Sequence, residues 1–89
     1  MKPISLQVTY HRGRPFAAYI YLDRGPGQKS ARSEQVAPEI VVDFDANDRP
    51  IGVEIISPDS TPLDEVLAVF DRLGLGRPDK AELAPLVAA

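Results

Sequence analysis

The sequence predicts an α+β fold: an antiparallel β-meander of four to five strands, with one C-terminal amphipathic helix packed on one face. Three observations support this prediction. Apolar residues alternate with polar ones through most of residues 4–56, which is the two-residue period of strands. From about residue 62 the apolar period becomes that of a helix. Gly, Pro, Asn and Asp separate the alternating runs, as turns require.

Length and composition limit the chain to one small domain. Its 89 residues are 44% hydrophobic and 26% charged, as in an ordinary globular protein. We expect residues 1–76 to form the domain. A chain of this size buries only about 60% of the surface that it exposes when unfolded. Its core is therefore thin, and we expect a partner or a second copy to add stability.

The first two strands are predicted at about residues 4–11 and 16–22, with turns at residues 12–15 and 23–27. In this hairpin, the register that joins apolar face to apolar face pairs the following residues: Tyr10 with Phe16, Val8 with Ala18, and Leu6 with Ile20. The polar residues 28–36 fit either an exposed edge strand or an extended loop.

The clearest hairpin joins strands at about residues 39–45 and 50–56. A turn centred on Asn47-Asp48 suits the type I′ geometry, because Asn and Asp tolerate positive φ. The register then pairs three sets of apolar residues: Phe44 with Ile51, Val42 with Val53, and Ile40 with Ile55.

The helix is predicted at about residues 62–73. Its core-facing stripe consists of Leu63, Val66, Leu67, Phe70 and Leu73. Thr61 is the expected N-cap, Pro62 the first helical residue and Gly74 the residue that ends the helix. The tail at residues 77–89 fits either one short helix broken near Pro85 or a frayed end.

One spacing resembles a calcium-binding loop. Oxygen-bearing residues fall at its positions 1, 3, 5 and 12: Asp43, Asp45, Asn47 and Glu54. However, Asp48 replaces the required Gly, Pro50 follows, and the flanking segments have strand period. Since the hairpin register explains these residues, we expect no metal site, and nothing in the sequence implies a cofactor.

Three polar residues are weak candidates for a site. His11 is the only histidine, and it lies beside a turn. Asp43 and Glu54 share one face of the predicted hairpin, so paired carboxylates for acid–base chemistry are conceivable there. No nucleophile with its base and orienting group is apparent. We therefore expect no catalytic residues and a protein that is not an enzyme.

The face of the sheet opposite the helix is more informative. Tyr19, Tyr21, Val41 and Ile56 project from it, and no second long helix is predicted to cover them. Tyrosine is enriched at protein interfaces. The alternative is that the tail folds back over this face through Leu83, Leu86 and Val87.

Charge and composition also narrow the partners and the compartment. A net charge of −3 argues against a nucleic-acid binder, which normally carries a basic excess. The absence of cysteine favours a reducing compartment. No apolar run is long enough for a membrane span and no signal peptide is visible, so we expect a cytoplasmic protein that does not bind membranes.

The segments EIVVDFD (residues 39–45) and PIGVEII (residues 50–56) resemble the signature of the small proteins catalogued as domain of unknown function 2283. VTY (residues 8–10) and YIYL (residues 19–22) are similar to its opening strands, so the resemblance covers about residues 5–58. The chain departs from the family pattern in its basic first turn and in Asp48, where Gly is preferred. The resemblance implies the fold. Because such members are often encoded beside small toxin-like proteins, it also implies an antitoxin-type binding role.

The leading hypothesis is a non-enzymatic protein-interaction module that binds a small cognate protein. A second is a small-ligand-binding or enzymatic domain that uses Asp43, Glu54 and His11. A third is a self-associating structural protein, such as a homodimer. The missing catalytic set favours the first and third hypotheses.

Overall fold

A computed structural model describes residues 5–22, 29–79 and 81–87, with the backbone alone at residues 11, 14–16 and 87. The turn predicted at residues 23–27 lies outside the described residues. The strands are β1 (Ser5–His11), β2 (Arg14–Tyr21), β3 (Arg32–Ala37), β4 (Ile40–Phe44) and β5 (Pro50–Ile55). A 3₁₀ turn at Pro58–Ser60 precedes helix α1 (Leu63–Arg72), and α2 (Ala84–Val87) follows.

The α+β class, the five-stranded antiparallel sheet and the C-terminal helix are confirmed. The order of the strands, β1-β2-β5-β4-β3, differs from that of a simple meander. β5 lies between β2 and β4, so β2 to β5 form a Greek key. In this order the mostly buried β5 lies at the centre of the sheet and the exposed, polar β3 lies at an edge.

The β1–β2 hairpin has the predicted register except beside its turn. Val8 pairs with Ala18 and Leu6 with Ile20, but the predicted pairing of Tyr10 with Phe16 is wrong. Tyr10 lies opposite Pro15. The reason is a two-residue turn at Arg12-Gly13, both at positive φ, whose register is offset by one residue from that of the strands. A bulge absorbs the offset.

The β4–β5 hairpin deviates in the same way. Val42 pairs with Val53 and Ile40 with Ile55, as predicted, whereas Phe44 lies opposite Pro50 and not Ile51. The predicted type I′ turn is also wrong. The Asp48 N–H donates to Asp45 O at 3.1 Å and the Asp45 N–H to Arg49 O at 2.9 Å, which makes a three-residue loop. Only Asp48 has positive φ, as this loop type requires.

The core lies between the sheet and α1. Buried residues of three strands (β2, β4 and β5) meet buried residues of the helix there: Ala18, Ile20, Ile40, Val42, Phe44, Val53, Ile55, Val66, Leu67, Val69 and Phe70. Leu63 and Leu73 of the predicted helical stripe are half-buried at its margin. The sequence pattern therefore predicted the core-facing side of α1.

The two ends of α1 differ from each other in how well they were predicted. The N-cap is Pro62 and not Thr61, whose hydroxyl donates to Ser57 O at 2.8 Å in the preceding 3₁₀ turn. At the other end Gly74 has φ +71°, as expected. The N–H groups of Gly74 and Leu75 donate to the carbonyls of Asp71 and Phe70, which forms a Schellman motif.

The tail packs on the helix side of the sheet. Leu83 and Leu86 are buried in the core cluster, and α2 begins immediately after Leu83. The described part of the tail therefore does not cover Tyr19 and Tyr21. None of the described helices is long and apolar enough to cross a membrane.

Candidate functional site

Two rows of side chains cross all five strands on the face opposite α1. The cross-strand register determines which residues belong to each row. The first row is Ser5, Tyr21, Gly52, Asp43 and Ser33, and the second is Gln7, Tyr19, Glu54, Val41 and Gln35. We call this surface the helix-free face. Its residues alternate with buried core residues along each central strand, so the strand period places them together.

Tyr19 is the central residue of the helix-free face. Its ring leans from β2 across Gly52, and its hydroxyl donates to Asp43 Oδ2 on β4 at 2.6 Å. A Cβ at position 52 would overlap the hydroxyl end of this ring. Only glycine therefore lets the tyrosine of β2 reach a carboxylate two strands away.

Asp43 accepts a second hydrogen bond, from Ser33 Oγ on the edge strand β3 at 2.5 Å. Each carboxylate oxygen thus has a hydroxyl partner, one from the centre and one from the edge of the sheet. The network links β2, β4 and β3. Hydrogen bonds of this kind to a charged acceptor are stronger than neutral ones and hold the face in one arrangement.

Tyr21 continues the network toward β1. Its hydroxyl donates to Gln7 Oε1 at 3.1 Å, and its ring meets that of Tyr19 edge to face, with centroids 4.7 Å apart at 65°. Edge-to-face packing is one of the two arrangements that aromatic pairs prefer. The two tyrosines therefore form a preorganised aromatic pair, of which Tyr21 is 36% exposed.

Exposed apolar and acidic groups complete the face. Ile56, just beyond β5, is 41% exposed, Val41 is half-buried, and Glu54 is exposed. The four interface candidates are thus accessible, but they do not form a purely apolar patch, because Asp43 and Glu54 lie among them. The ten residues of the two rows include two carboxylates and neither Lys nor Arg.

The three weak polar candidates do not converge. Asp43 and Glu54 lie on one face at adjacent positions of the ladder, as predicted. His11 pairs with Arg14 at the hairpin end of β1. Its backbone is four residues beyond Gln7, the β1 residue in Glu54's row, or roughly 13 Å along the strand at about 3.3 Å per residue. The backbone position of His11 is therefore too far along the sheet for the three candidates to form one site.

The residues of the calcium-like spacing also point in different directions. Asp45 is 5% exposed, and its Oδ1 accepts the N–H groups of Asn47 at 2.8 Å and Arg49 at 3.0 Å. Its carboxylate therefore stabilises the turn, while Asp43 serves the helix-free face. Within the described residues, no group of three or more His, Cys, Asp or Glu is arranged to hold a metal ion.

On the helix side of the sheet, a groove of about 210 Å³ lies between the 3₁₀ turn, the start of α1 and α2. Its walls include Ile55, Leu63 and Val66, and among the described residues that line it Asp59 is the one titratable group. Those residues therefore give the Asp59 carboxylate no second group with which to share proton transfer.

Sequence reasoning missed Gly52, Ser33 and Gln7 as part of the face. A glycine within an otherwise regular strand is the one available signal, because it often marks a close approach of another group. Ser33 and Gln7 carried no such signal. Their roles depend on neighbouring strands that are distant in sequence.

Residues 17–57 match the model of a family described as a protein of unknown function (DUF2283). The resemblance inferred from the sequence is therefore confirmed for residues 17–57, from within β2 to just past the end of β5, while the part expected at residues 5–16 lies outside the match. This range contains the Greek key and most of the helix-free face. β1 and α1 lie outside it. No curated protein and no solved structure matches the chain.

Proposed function

We propose that the protein is a non-enzymatic interaction module that binds a basic protein segment on its helix-free face. The main support for this proposal is the composition of the two rows. They contain an aromatic pair and two carboxylates, with no Lys or Arg among the ten residues. No element of the described chain covers this face. The face therefore offers both apolar area and negative charge to a partner.

The aromatic pair supports the proposal because it is held in place before binding. Tyr19 is fixed by Asp43 and by its contact with Gly52, and Tyr21 by Gln7. Binding to a preorganised surface loses less conformational entropy. Tyrosine rings also attract Arg and Lys side chains, by about 0.5–2 kcal/mol for each well-placed pair.

Charge favours a basic partner over a second copy of the chain. If two helix-free faces met, the Asp43 and Glu54 carboxylates of one copy would approach those of the other. Like charges brought together at an interface oppose association. A segment rich in Arg or Lys brings the complementary charge, and the net charge of −3 also favours its approach.

A binding role also agrees with the state of the polar groups. Asp43 is engaged by two hydroxyl donors and Asp45 by two backbone N–H groups, so each has a structural task. An antitoxin-type protein that captures a small basic protein is one form of this function. In that role the bound partner would be held without any chemical step.

The test is an NMR titration of the ¹⁵N-labelled chain with nona-arginine, and with nona-glutamate as the charge control. We expect amide shift changes in the two rows of the helix-free face with the basic peptide alone. Glu54→Lys should weaken this binding by roughly threefold or more, as expected for exposed charge pairs. Glu65→Lys, an equal charge change at an exposed helix position, should have a smaller effect.

Three results would overturn the proposal. The first is that the spectra do not change on addition of nona-arginine, and the second is that the shift changes map to another surface. The third is that Glu65→Lys weakens binding as much as Glu54→Lys does. The last result would mean that net charge alone attracts the peptide. Dimerisation through this face, detected as loss of a dimer in Tyr21→Glu but not in the helix-surface control Ala68→Glu, would also contradict it.

A further inference from the structure

The sheet ends in two edge strands, β1 and β3. In the described part of the chain each has a strand neighbour on one side only. An edge strand presents backbone N–H and C=O groups that can pair with another chain. The two edges of this sheet differ in how they are protected against such pairing.

β3 has several of the features that prevent pairing. Its residues include Arg32 and Glu34, which form an ion pair at 3.0 Å on the exposed edge. A register shift interrupts its ladder between Gln35 and Ala37. Arg72 of α1 donates to Val36 O at 3.0 Å at this point, so the helix side chain occupies part of the edge. Charge and a bulge are the usual protections of an edge strand.

In the described part of the chain, β1 has neither the charged residues nor the contact from a helix side chain, and the bulge beside its turn has its extra residue, Phe16, on β2 and not on the edge strand itself. Its sequence SLQVTYH contains no Asp, Glu, Lys, Arg or Pro. Its residues pair with β2 one to one from Ser5 to Thr9. Leu6 and Val8 are half-buried at the margin of the core, and Tyr10 is 57% exposed. β1 is therefore a long, regular and uncharged edge with an apolar row on the helix side.

We infer that β1 pairs antiparallel with β1 of a second copy, about a two-fold axis at Val8, to give a ten-stranded sheet. A shift of one residue would place the apolar row of one copy against the polar row of the other. Among the registers that avoid this mismatch, the one centred on Val8 pairs all seven residues. It brings together Leu6 with Tyr10, Val8 with Val8, and Gln7 with Thr9.

This pairing extends the apolar row on the helix side across the two-fold axis. Six partly exposed side chains, Leu6, Val8 and Tyr10 of each copy, then cover one another. The added burial strengthens a core that is thin for a chain of 89 residues. Because opposite residues share a face, both helix-free faces lie on the same side of the joined sheet and stay accessible. This inference does not rest on the function proposed above.

The first test compares two tyrosine variants of the full chain by size-exclusion chromatography with light scattering over a dilution series. We expect the wild type to reach twice the 9.7 kDa mass of one chain as concentration rises. Tyr10→Lys places a charge on the edge and should give the monomer mass. Tyr21→Lys makes the same change on the helix-free face and should leave the dimer intact. Circular dichroism checks that both variants are folded.

The second test uses the absence of cysteine from the natural chain. Val8→Cys places two thiols directly opposite each other, with Cβ atoms about 5 Å apart. Mild oxidation should therefore give a covalent dimer. Thr9→Cys, one residue along, would hold its two Cα atoms roughly 8 Å apart, beyond the reach of a disulfide. We expect it to crosslink at least tenfold more slowly.

A monomer at every concentration would overturn the inference. Loss of the dimer in Tyr21→Lys but not in Tyr10→Lys would overturn it in favour of a dimer through the helix-free face. Equal crosslinking of the Val8→Cys and Thr9→Cys variants would contradict the two-fold axis at Val8.

Discussion

The ring of Tyr19 lies across the backbone of Gly52, in space that the Cβ of any other residue would occupy. This contact carries the Tyr19 hydroxyl from β2 over β5 to Asp43 on β4. A glycine in the centre of a sheet costs some strand stability. Here it is required by the side chain that crosses it.

Gly52→Ala should displace the Tyr19 ring and break its hydrogen bond with Asp43. We expect a loss of about 1–3 kcal/mol in the free energy of unfolding, the usual cost of overpacking. Urea denaturation measures it. In the Tyr19→Ala background the same substitution should cost much less, because the obstructing ring is gone. Equal costs in both backgrounds would show that the two residues are not coupled.

Phe44→Ala should remove a core residue that is 7% exposed and lies under the Arg32 guanidinium, 4.1 Å from the ring centroid. The expected loss is about 3–5 kcal/mol, from lost burial and the remaining cavity, and so small a domain should unfold partly or fully. Thermal and urea denaturation measure it. Ile56→Ala, a truncation at an exposed site, should cost less than about 0.5 kcal/mol. A Phe44→Ala loss below about 1 kcal/mol would contradict the packing described above.

Asp45→Ala should destabilise the β4–β5 turn, because two backbone N–H groups lose their acceptor. We expect a loss of about 1–3 kcal/mol for these unsatisfied donors. Asp45→Asn should lose less, since the amide oxygen still accepts. Asn47→Ala in the same turn is the control, and it should cost less than Asp45→Ala. Urea denaturation measures the stability of the three variants. Equal stability of Asp45→Ala, Asp45→Asn and Asn47→Ala would contradict the role assigned to Asp45.

Millimolar calcium should leave the melting temperature unchanged. Asp43 and Asp45 of the calcium-like spacing already accept hydrogen bonds on separate parts of the hairpin. Differential scanning calorimetry with and without the ion tests this prediction. A rise of many degrees that Asp43→Ala abolished would reveal a specific site.

The stability effect of the Asp71–Arg77 pair should depend on pH. Arg77 donates to Asp71 Oδ2 at 2.7 Å, and this hydrogen bond lowers the pKa of Asp71 from its ordinary 3.8. A carboxyl whose folded pKa is lowered adds stability above its unfolded pKa and loses that contribution as pH falls through the folded pKa. The gap between wild type and Arg77→Gln should therefore be present at neutral pH and close below the pKa of Asp71. The pair is exposed, so the gap should also shrink in salt.

Arg49→Gln makes the same charge change in the β4–β5 turn and serves as the control. Its stability relative to wild type should not follow the titration of Asp71. Chemical denaturation across the acidic range compares the variants. A gap for Arg77→Gln that stays constant through this range would contradict the assigned pair.

The sequence by itself determined four of the five strands, the amphipathic helix and the side of each of these elements that faces the core, whereas it left residues 28–36, which contain most of β3, open between a strand and a loop. These features depend on the spacing of apolar residues along one segment, as in the pairing of Val42 with Val53. The sequence also predicted that Asp43 and Glu54 share a face, because strand alternation is local. It predicted Gly74 at the end of the helix because a helix end also depends on residues that are close together in the sequence.

Only the tertiary structure decided where each turn forces a one-residue offset, which is why Phe44 lies opposite Pro50. The tertiary structure alone also placed β5 between β2 and β4, because a central position depends on burial against strands that are distant in the chain. The contact of Tyr19 with Asp43 follows from that order. Here Tyr19 on β2 meets Asp43 on β4 because the strand between them carries Gly52, which lets the ring pass.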